Sequence, residues 1–282
     1  MDAEPAVDAD IDPAATAEAI VEDLASRGSV LVAFSGGVDS STVAALAHEA
    51  LGDDAVACTA VSETLPEAEY EEAVGVAEEI GIRHEVVTFS ELDSDAFVAN
   101  DGDRCYHCRS MRLGEMYARA AELGVDVVVD GTNASDVDPE AHRPGLEAVD
   151  EMDAYSPLLE HGVDKAGTRA IARHMGLSVW DKPSMACLSS RIPTGEEVTE
   201  AKLSRVERAE RAVAERGFRQ FRVRDHGDGD VARVEIAPDE MPGALDADLL
   251  DGLHDDVAAA GFDHVALDTK GYRTGSTSSP EQ

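Results

Sequence analysis

The sequence has little positive charge. Its 282 residues include 59 aspartates and glutamates but only 23 lysines and arginines, which gives a formal net charge of −36. Because such a surface repels a phosphate backbone, the composition argues against a free-standing nucleic-acid-binding protein. Only 4 residues are lysine. An acidic, lysine-poor surface is typical of a soluble protein adapted to concentrated salt, and an ordinary acidic cytosolic enzyme is the alternative.

Long apolar runs, a positively charged leader and a large set of cysteines are also missing. No apolar run reaches 18 residues, and the segment 1–12 is acidic. A membrane span or a secretory signal needs the opposite, so we expect a cytoplasmic protein with no membrane partner. The 4 cysteines are too few for a disulfide scaffold and are available for metal binding or catalysis.

Short apolar segments alternate with helical ones in the first part of the chain. The pattern predicts strands at 29–34, 55–61, 84–89 and 125–130, and helices at 13–26, 67–80 and 109–123. This alternation is typical of an α/β fold in which helices cover both faces of a parallel sheet. From residue 199, a helix–strand–strand–helix–strand order predicts a second, smaller α/β domain. We expect four parts, namely an acidic extension (1–12), a large domain (13–183), a small domain (184–274) and a flexible tail (275–282).

A Ser-Gly-Gly segment, Ser35 to Gly37, joins the first predicted strand to a helix. Unpaired backbone N–H groups and the positive end of the helix dipole suit a phosphate at such a junction. The spacing and the lysine of a Walker A loop are absent. A tight turn that merely needs glycine is the alternative.

The cysteines fall into two kinds. Cys58 lies inside an apolar strand and is most simply a small buried hydrophobe. Cys105 and Cys108 form a C-x-x-C pair at the mouth of a helix, and Cys187 is the third non-core cysteine. Three thiolates holding a four-iron cluster leave one iron open for a sulfide. Structural zinc completed by His107 or another histidine, and a redox pair, are the alternatives.

Ordered sequence strings give the chain a resemblance to a known family, the LarE family of ATP-dependent sulfur transferases in the PP-loop ATP pyrophosphatase superfamily. The strings are SGGVDSS (35–41), DRCYHC (103–108), GTNASD (131–136), HRPGLEA (142–148), SPLLE (156–160), WDKPSMACLSSRIPTG (180–195), FRVRDHGDGDVARVEI (221–236) and GYRTGS (271–276). The resemblance implies a PP-loop domain followed by a smaller domain, and a homo-oligomer.

The resemblance also implies an activity. Members of the family adenylate a carboxylate of pyridinium-3,5-biscarboxylic acid mononucleotide, a precursor of the nickel-pincer cofactor, and replace the AMP by sulfur to form a thiocarboxylate. Some members give up the sulfur of their own cysteine, with which Cys187 aligns as the catalytic residue. Others hold a [4Fe-4S] cluster on three cysteines, and Cys105, Cys108 and Cys187 place this sequence with that type.

The remaining site residues are carried over in the same way. Asp39 is expected to organise Mg²⁺, and the residues expected around ATP are Ala33, Ser35, Gly36, Gly37, Asp39, Ser40, Ser62, Gly131 and Asn133. Residues 202–224 contain eight basic and three acidic side chains. Most of these basic residues fit a solvated helix. Arg222 and Arg224 alternate on one strand face and suit a phosphate clamp. Together with Ser190 and Arg191, they are the expected contacts of the substrate's phosphate and carboxylate.

Three other functions are compatible with parts of the sequence. A PP-loop tRNA thiolase also combines adenylation with cysteines, but the charge of −36 opposes RNA binding. An amide-forming synthetase that uses ammonia leaves Cys105 and Cys108 without a role. A nucleotide-binding iron–sulfur scaffold or sensor differs from an enzyme in releasing no pyrophosphate.

Overall fold

The computed structural model describes residues 11–137, 143–184 and 186–273. Most of the predicted acidic extension and the whole predicted tail 275–282 lie outside these ranges. The chain divides into two compact units, one made of residues up to 89 with 105–185, the other of 90–104 with the residues from 186 onward. No helix within the described ranges is long and apolar enough to cross a membrane.

Helices and strands alternate along the chain. In the part up to residue 184 they are α1 (Pro13–Ala25), β1 (Val30–Ala33), α2 (Val38–Leu51), β2 (Ala55–Val61), α3 (Glu67–Ile80), β3 (Arg83–Thr88), α4 (Asp95–Val98), α5 (Arg104–Leu123), β4 (Val127–Val129), α6 (Pro144–Glu151), α7 (Pro157–Glu160) and α8 (Lys165–His174). The later elements are α9 (Glu200–Glu215), β5 (Phe221–His226), β6 (Val231–Ile236), α10 (Met241–Ala244), α11 (Ala247–Ala259) and β7 (His264–Leu267).

The first unit is built on a parallel sheet, which confirms the predicted α/β fold. Its strand order is β3-β2-β1-β4, and Val30 of β1 pairs with Ala55 on one side and Val127 on the other. The chain therefore leaves β1 towards β2 and β3 and later returns to the opposite side of β1. At such a reversal of strand order a crevice opens beyond the carboxyl ends of the strands, where ligands bind in open α/β sheets. The loop after β1 lies in this crevice, between the segments that follow β2 and β4.

The second unit contains a three-stranded sheet of order β5-β6-β7. Strands β5 and β6 are antiparallel, whereas β6 and β7 are parallel. Buried apolar residues of α9, among them Val206 and Val213, belong to the core of this unit. This sheet carries Arg222 and Arg224 on β5, and all six β5 residues except His226 are buried.

One predicted boundary is wrong in a way that matters for the site. The helix predicted to start at residue 109 starts at Arg104, so Cys105 and Cys108 lie within its first turns rather than in the loop before it. Cysteine, tyrosine and histidine are weak helix formers, and their run hid the true start.

Two glycines bring backbone segments into close contact around the loop after β1. Gly36 has φ +70°, and a Cβ there would lie 2.6 Å from the Ala73 Cα of α3. At Gly131, after β4, a Cβ would lie 2.8 Å from the Ser40 backbone nitrogen of α2. Any larger residue at either position pushes the phosphate loop away from its supports.

We predict that alanine has opposite effects on stability at two glycines, Gly36, which packs against α3, and Gly75, which lies within α3. Gly36→Ala should lower the free energy of unfolding by about 1–3 kcal/mol, because it meets both a positive φ and the Ala73 backbone. Gly75→Ala, in the middle of α3 with open space around it, should raise that free energy by about 0.5–1 kcal/mol. Urea denaturation of both variants checks this. Equal changes at the two positions would contradict the close packing at Gly36.

Candidate active site

The loop between β1 and α2 is folded around the hydroxyl of Ser40. The Ser35 backbone N–H donates to Ser40 Oγ at 3.1 Å, and Ser40 Oγ donates to the Gly37 carbonyl at 3.2 Å. No side chain caps α2 at Gly37. A helix start without a cap leaves its first N–H groups for a ligand, and an anion is the ligand that the helix dipole favours. The sequence-predicted phosphate-binding residues of this loop thus lie together in one turn.

Asp39, in the first turn of α2, holds two partners from the loops beyond β4. Asn133 Nδ2 donates to one carboxylate oxygen at 3.1 Å, and Lys165 Nζ contacts the other at 2.5 Å. Asn133 is 2% exposed, and its side chain also accepts the Ser135 N–H. Sequence reasoning missed Lys165. The sequence feature that could have drawn attention to Lys165 is the rarity of lysine, since the chain has only 4.

The other predicted nucleotide contacts lie at neighbouring strand ends. Ala33 is the last residue of β1, and Ser62 directly follows β2 and is 9% exposed. Gly131 lies in the loop after β4 and packs on the start of α2. The structure therefore brings the predicted ATP residues to adjacent carboxyl ends of the first sheet.

The four cysteines take different positions. Cys58 is fully buried in β2, as predicted, and burial raises the pKa of its thiol to about 12. Cys105 and Cys108 are one turn apart at the start of α5. Cys187 belongs to the second unit. Within the described residues, no three histidine, cysteine or acidic side chains are grouped closely enough to hold a metal ion.

The loop that carries Cys187 is built on the fully buried side chain of Arg191. Its Nη1 donates to the carbonyls of Ala186 at 2.5 Å and Cys187 at 2.9 Å. Its Nε and Nη2 donate to the two carboxylate oxygens of Glu210 at 2.9 and 2.8 Å. Burial opposes the charge on Arg191, but Glu210 outweighs burial and raises its pKa. Arg191 therefore anchors the backbone next to the Cys187 thiol.

Arg222 and Arg224 add two more buried guanidinium groups. Arg224 pairs with Glu235 at 2.9 Å and donates to the Ser190 carbonyl at 3.0 Å. The Arg222 guanidinium lies 4.9 Å from the centre of the Tyr272 ring. Burial lowers the pKa of Arg222, and the positive charge of Arg191 lowers it further. The carboxylate of Glu210 opposes this shift, so Arg222 lies among charges of both signs.

Comparison with known proteins relates the chain to ATP-using enzymes. The sequence profile of the NAD synthase family, a family of ATP-using PP-loop enzymes, matches residues 15–120. An uncharacterized protein of Synechocystis is 41% identical over 87% of this chain and 90% of its own. The pyridinium-3,5-bisthiocarboxylic acid mononucleotide synthase of Lactiplantibacillus plantarum is 35% identical over 93% of this chain and 92% of its own. A tRNA-specific 2-thiouridylase of Rickettsia peacockii is 27% identical over 56% of this chain and 52% of its own.

The fold and the phosphate loop define a PP-loop enzyme of the ATP-using class. Within that class, the chain belongs to the LarE family of ATP-dependent sulfur transferases, because the match to the mononucleotide synthase extends over almost the whole length of both chains.

We predict that the Arg191–Glu210 pair stabilises the second unit strongly. Glu210→Gln keeps the shape and leaves the Arg191 charge buried without a counter-charge, so the free energy of unfolding should fall by about 3–5 kcal/mol. Asp256→Asn is the matched control in the same unit. This substitution breaks the ion pair with Arg216. The Arg216 side chain is 30% exposed and that of Asp256 is 44% exposed, so the free energy of unfolding should fall by less than about 1 kcal/mol. Urea denaturation measures both, and similar losses would contradict this role of Glu210.

Proposed function

We propose that the protein adenylates carboxylates of pyridinium-3,5-biscarboxylic acid mononucleotide and converts them to thiocarboxylates for the nickel-pincer cofactor. The observation that carries the proposal is the Cys187 loop, built on a buried arginine and followed along the chain by a cationic strand. A chain that only bound or hydrolysed ATP has no need for a thiol in such surroundings. The name of the relative from Lactiplantibacillus plantarum supports the choice of substrate.

The first proposed step takes place at the phosphate loop. An oxygen of the substrate carboxylate attacks the α-phosphorus of ATP, the bond to the bridging oxygen breaks, and pyrophosphate leaves. The uncapped start of α2 and the hydroxyls of Ser35 and Ser40 hold the pyrophosphate. Asp39 would hold Mg²⁺, which would balance the charge of the phosphates, and Lys165, which contacts Asp39 in the structure, neutralises negative charge on the leaving group.

The second proposed step forms the carbon–sulfur bond. A sulfur nucleophile attacks the acyl carbon, the bond from that carbon to the AMP oxygen breaks, and AMP leaves. Arg222 holds the phosphate or the second carboxylate of the substrate. Arg224 donates from all three of its nitrogens to Glu235 and the Ser190 carbonyl, so it holds the Ser190 backbone in place. Arg191 has a different role from the one that the sequence suggested. Its donors are used by Glu210 and the 186–187 carbonyls, so it positions the Cys187 loop.

An iron–sulfur cluster is part of the proposal. The donors suit it, because Cys105 and Cys108 are one helical turn apart and Cys187 is partly exposed. These three thiols would hold a [4Fe-4S] cluster, which supplies sulfide for transfer when bound.

We predict that pyrophosphate release depends on ATP, Mg²⁺ and the mononucleotide together. Asp39→Asn should lower the rate by roughly 10²-fold, because it removes the charge that organises the metal and the phosphates. Asp53→Asn is the matched control at the opposite end of α2, where Asp53 is exposed, and should leave the rate unchanged. A coupled assay measures the rate of pyrophosphate release by the wild type and by the two variants.

The same assay distinguishes the other functions. Release with tRNA instead of the mononucleotide would indicate a tRNA thiolase, and release that requires ammonia would indicate an amide-forming synthetase. A protein that binds ATP but releases no pyrophosphate with any acceptor would contradict an enzyme of this kind.

We predict that anaerobically purified protein shows broad visible absorption with bound iron and sulfide. Cys105→Ala, Cys108→Ala and Cys187→Ala should each remove the absorption, because each takes away one ligand. Cys58→Ala is the matched control and should keep it, because Cys58 is buried within the sheet. A colourless protein with one zinc ion would contradict the cluster. The intact mass should be unchanged after turnover, and a loss of one H₂S from Cys187 would show that the cysteine itself gives up the sulfur.

A further inference from the structure

Helix α5 carries the C-x-x-C pair and two arginines on one face. Cys105, Cys108, Arg109 and Arg112 are spaced i, i+3, i+4 and i+7, which places them along one stripe of the helix. The stripe continues into three buried residues that pack in the core with β1, β2 and β4, namely Leu113, Met116 and Ala120. A helix that crosses between parallel strands runs antiparallel to them, so its first turns lie at the carboxyl edge of the sheet.

The two arginines hold the segments that follow β2 and β4. Arg112 donates to Thr64 Oγ1 at 2.8 Å and to Ser62 Oγ at 3.4 Å. Arg109 forms an ion pair with Asp130 and contacts Thr132 Oγ1 at 3.4 Å. Strands β2 and β4 are the two neighbours of β1, which leads into the phosphate loop. The first turns of α5 therefore bind both sides of the crevice in which the phosphate loop lies.

Asp130 makes the Arg109 contact strong. Its carboxylate is 1% exposed and also accepts hydrogen bonds from the Thr132 N–H at 3.1 Å, Thr132 Oγ1 at 2.7 Å and Ser156 Oγ at 2.6 Å. A buried carboxylate needs a counter-charge, and the Arg109 guanidinium supplies one. Arg109 Nε is itself buried and has no hydrogen-bond partner among the described residues. The ion pair with Asp130 thus orients the Arg109 side chain.

A continuous set of contacts connects this arginine to the phosphate loop. Asp130 and Thr132 belong to the segment that leads to Asn133, and Asn133 Nδ2 donates to Asp39 at 3.1 Å. On the other side of the crevice, Arg112 reaches Ser62, one of the residues assigned to the nucleotide. A ligand that contacts both sides of the crevice restricts the segments to which α5 is bonded.

We propose that Arg109 and Arg112 are positioning residues that couple nucleotide binding at the phosphate loop to the cysteine turn, residues 105–108. Bound ATP stabilises the loops after β2 and β4, and the two arginines pass that stabilisation to the first turns of α5. The cysteine turn is then held most firmly while ATP is bound. This inference rests on the ATP site described under the proposed function.

Hydrogen exchange of the purified protein, read by mass spectrometry with and without Mg-ATP, tests the coupling. In the wild-type protein, ATP should slow exchange both in residues 35–41 and in residues 105–112, the latter by at least about fivefold. In the double variant Arg109→Gln, Arg112→Gln, ATP should still slow exchange in 35–41 but no longer in 105–112. Arg119→Gln is the matched control. Arg119 lies on the same helix and pairs with Glu85 and Glu122, away from the crevice, so this variant should behave as wild type.

Three results would overturn the inference. They are an ATP effect at 35–41 without one at 105–112 in the wild type, an undiminished effect at 105–112 in the double variant, and an equal loss in Arg119→Gln. No effect of ATP at 35–41 would contradict the ATP site itself, and the coupling with it. If the double variant does not fold, Arg109→Lys keeps the counter-charge for Asp130 but loses the planar fork. It should fold and lose at least half of the effect at 105–112.

Discussion

The first unit depends on the close approach of three backbone segments at the start of α2. Gly36 lies against α3, and Gly131 brings the loop after β4 onto the Ser40 nitrogen. Because both contacts exclude a side chain, the uncapped helix start is supported from two sides while its N–H groups stay open to an anion. The position of Asp39 follows from this. Its partner Asn133 lies in the loop after β4, which can approach α2 only because Gly131 has no side chain.

The few basic residues of this acidic chain have specific positions in the structure. Lysine is rare, yet three of the 4 lysines have defined acidic partners in the structure. Lys165 contacts Asp39, Lys182 contacts Glu69 and Glu72, and Lys202 contacts Glu196. Three arginines of the second unit are buried, namely Arg191, Arg222 and Arg224. In a chain of net charge −36, these basic side chains hold particular carboxylates or face the proposed anion sites.

Much of the architecture was predictable from local patterns. Apolar segments separated by helices indicated the parallel sheet, and Ser-Gly-Gly before a helix indicated the phosphate loop. Buried Cys58 followed from its apolar neighbours. The helix start at Arg104 was missed because its first residues have weak helix propensity. The role of Lys165 was missed because its partner Asp39 is 126 residues away.

Arg191 shows where local reasoning ends. Next to Cys187 and Ser190, its charge indicated a ligand for the substrate, but in the folded chain Glu210 and two carbonyls use its donors. The sequence by itself determined the α/β class, the glycine turn after β1 and the burial of Cys58, because these depend on residue type and short-range spacing. Only the tertiary structure decided which charges are paired and which segments α5 holds. Those depend on side chains that meet across strands and loops distant in sequence, where burial makes each pairing obligatory.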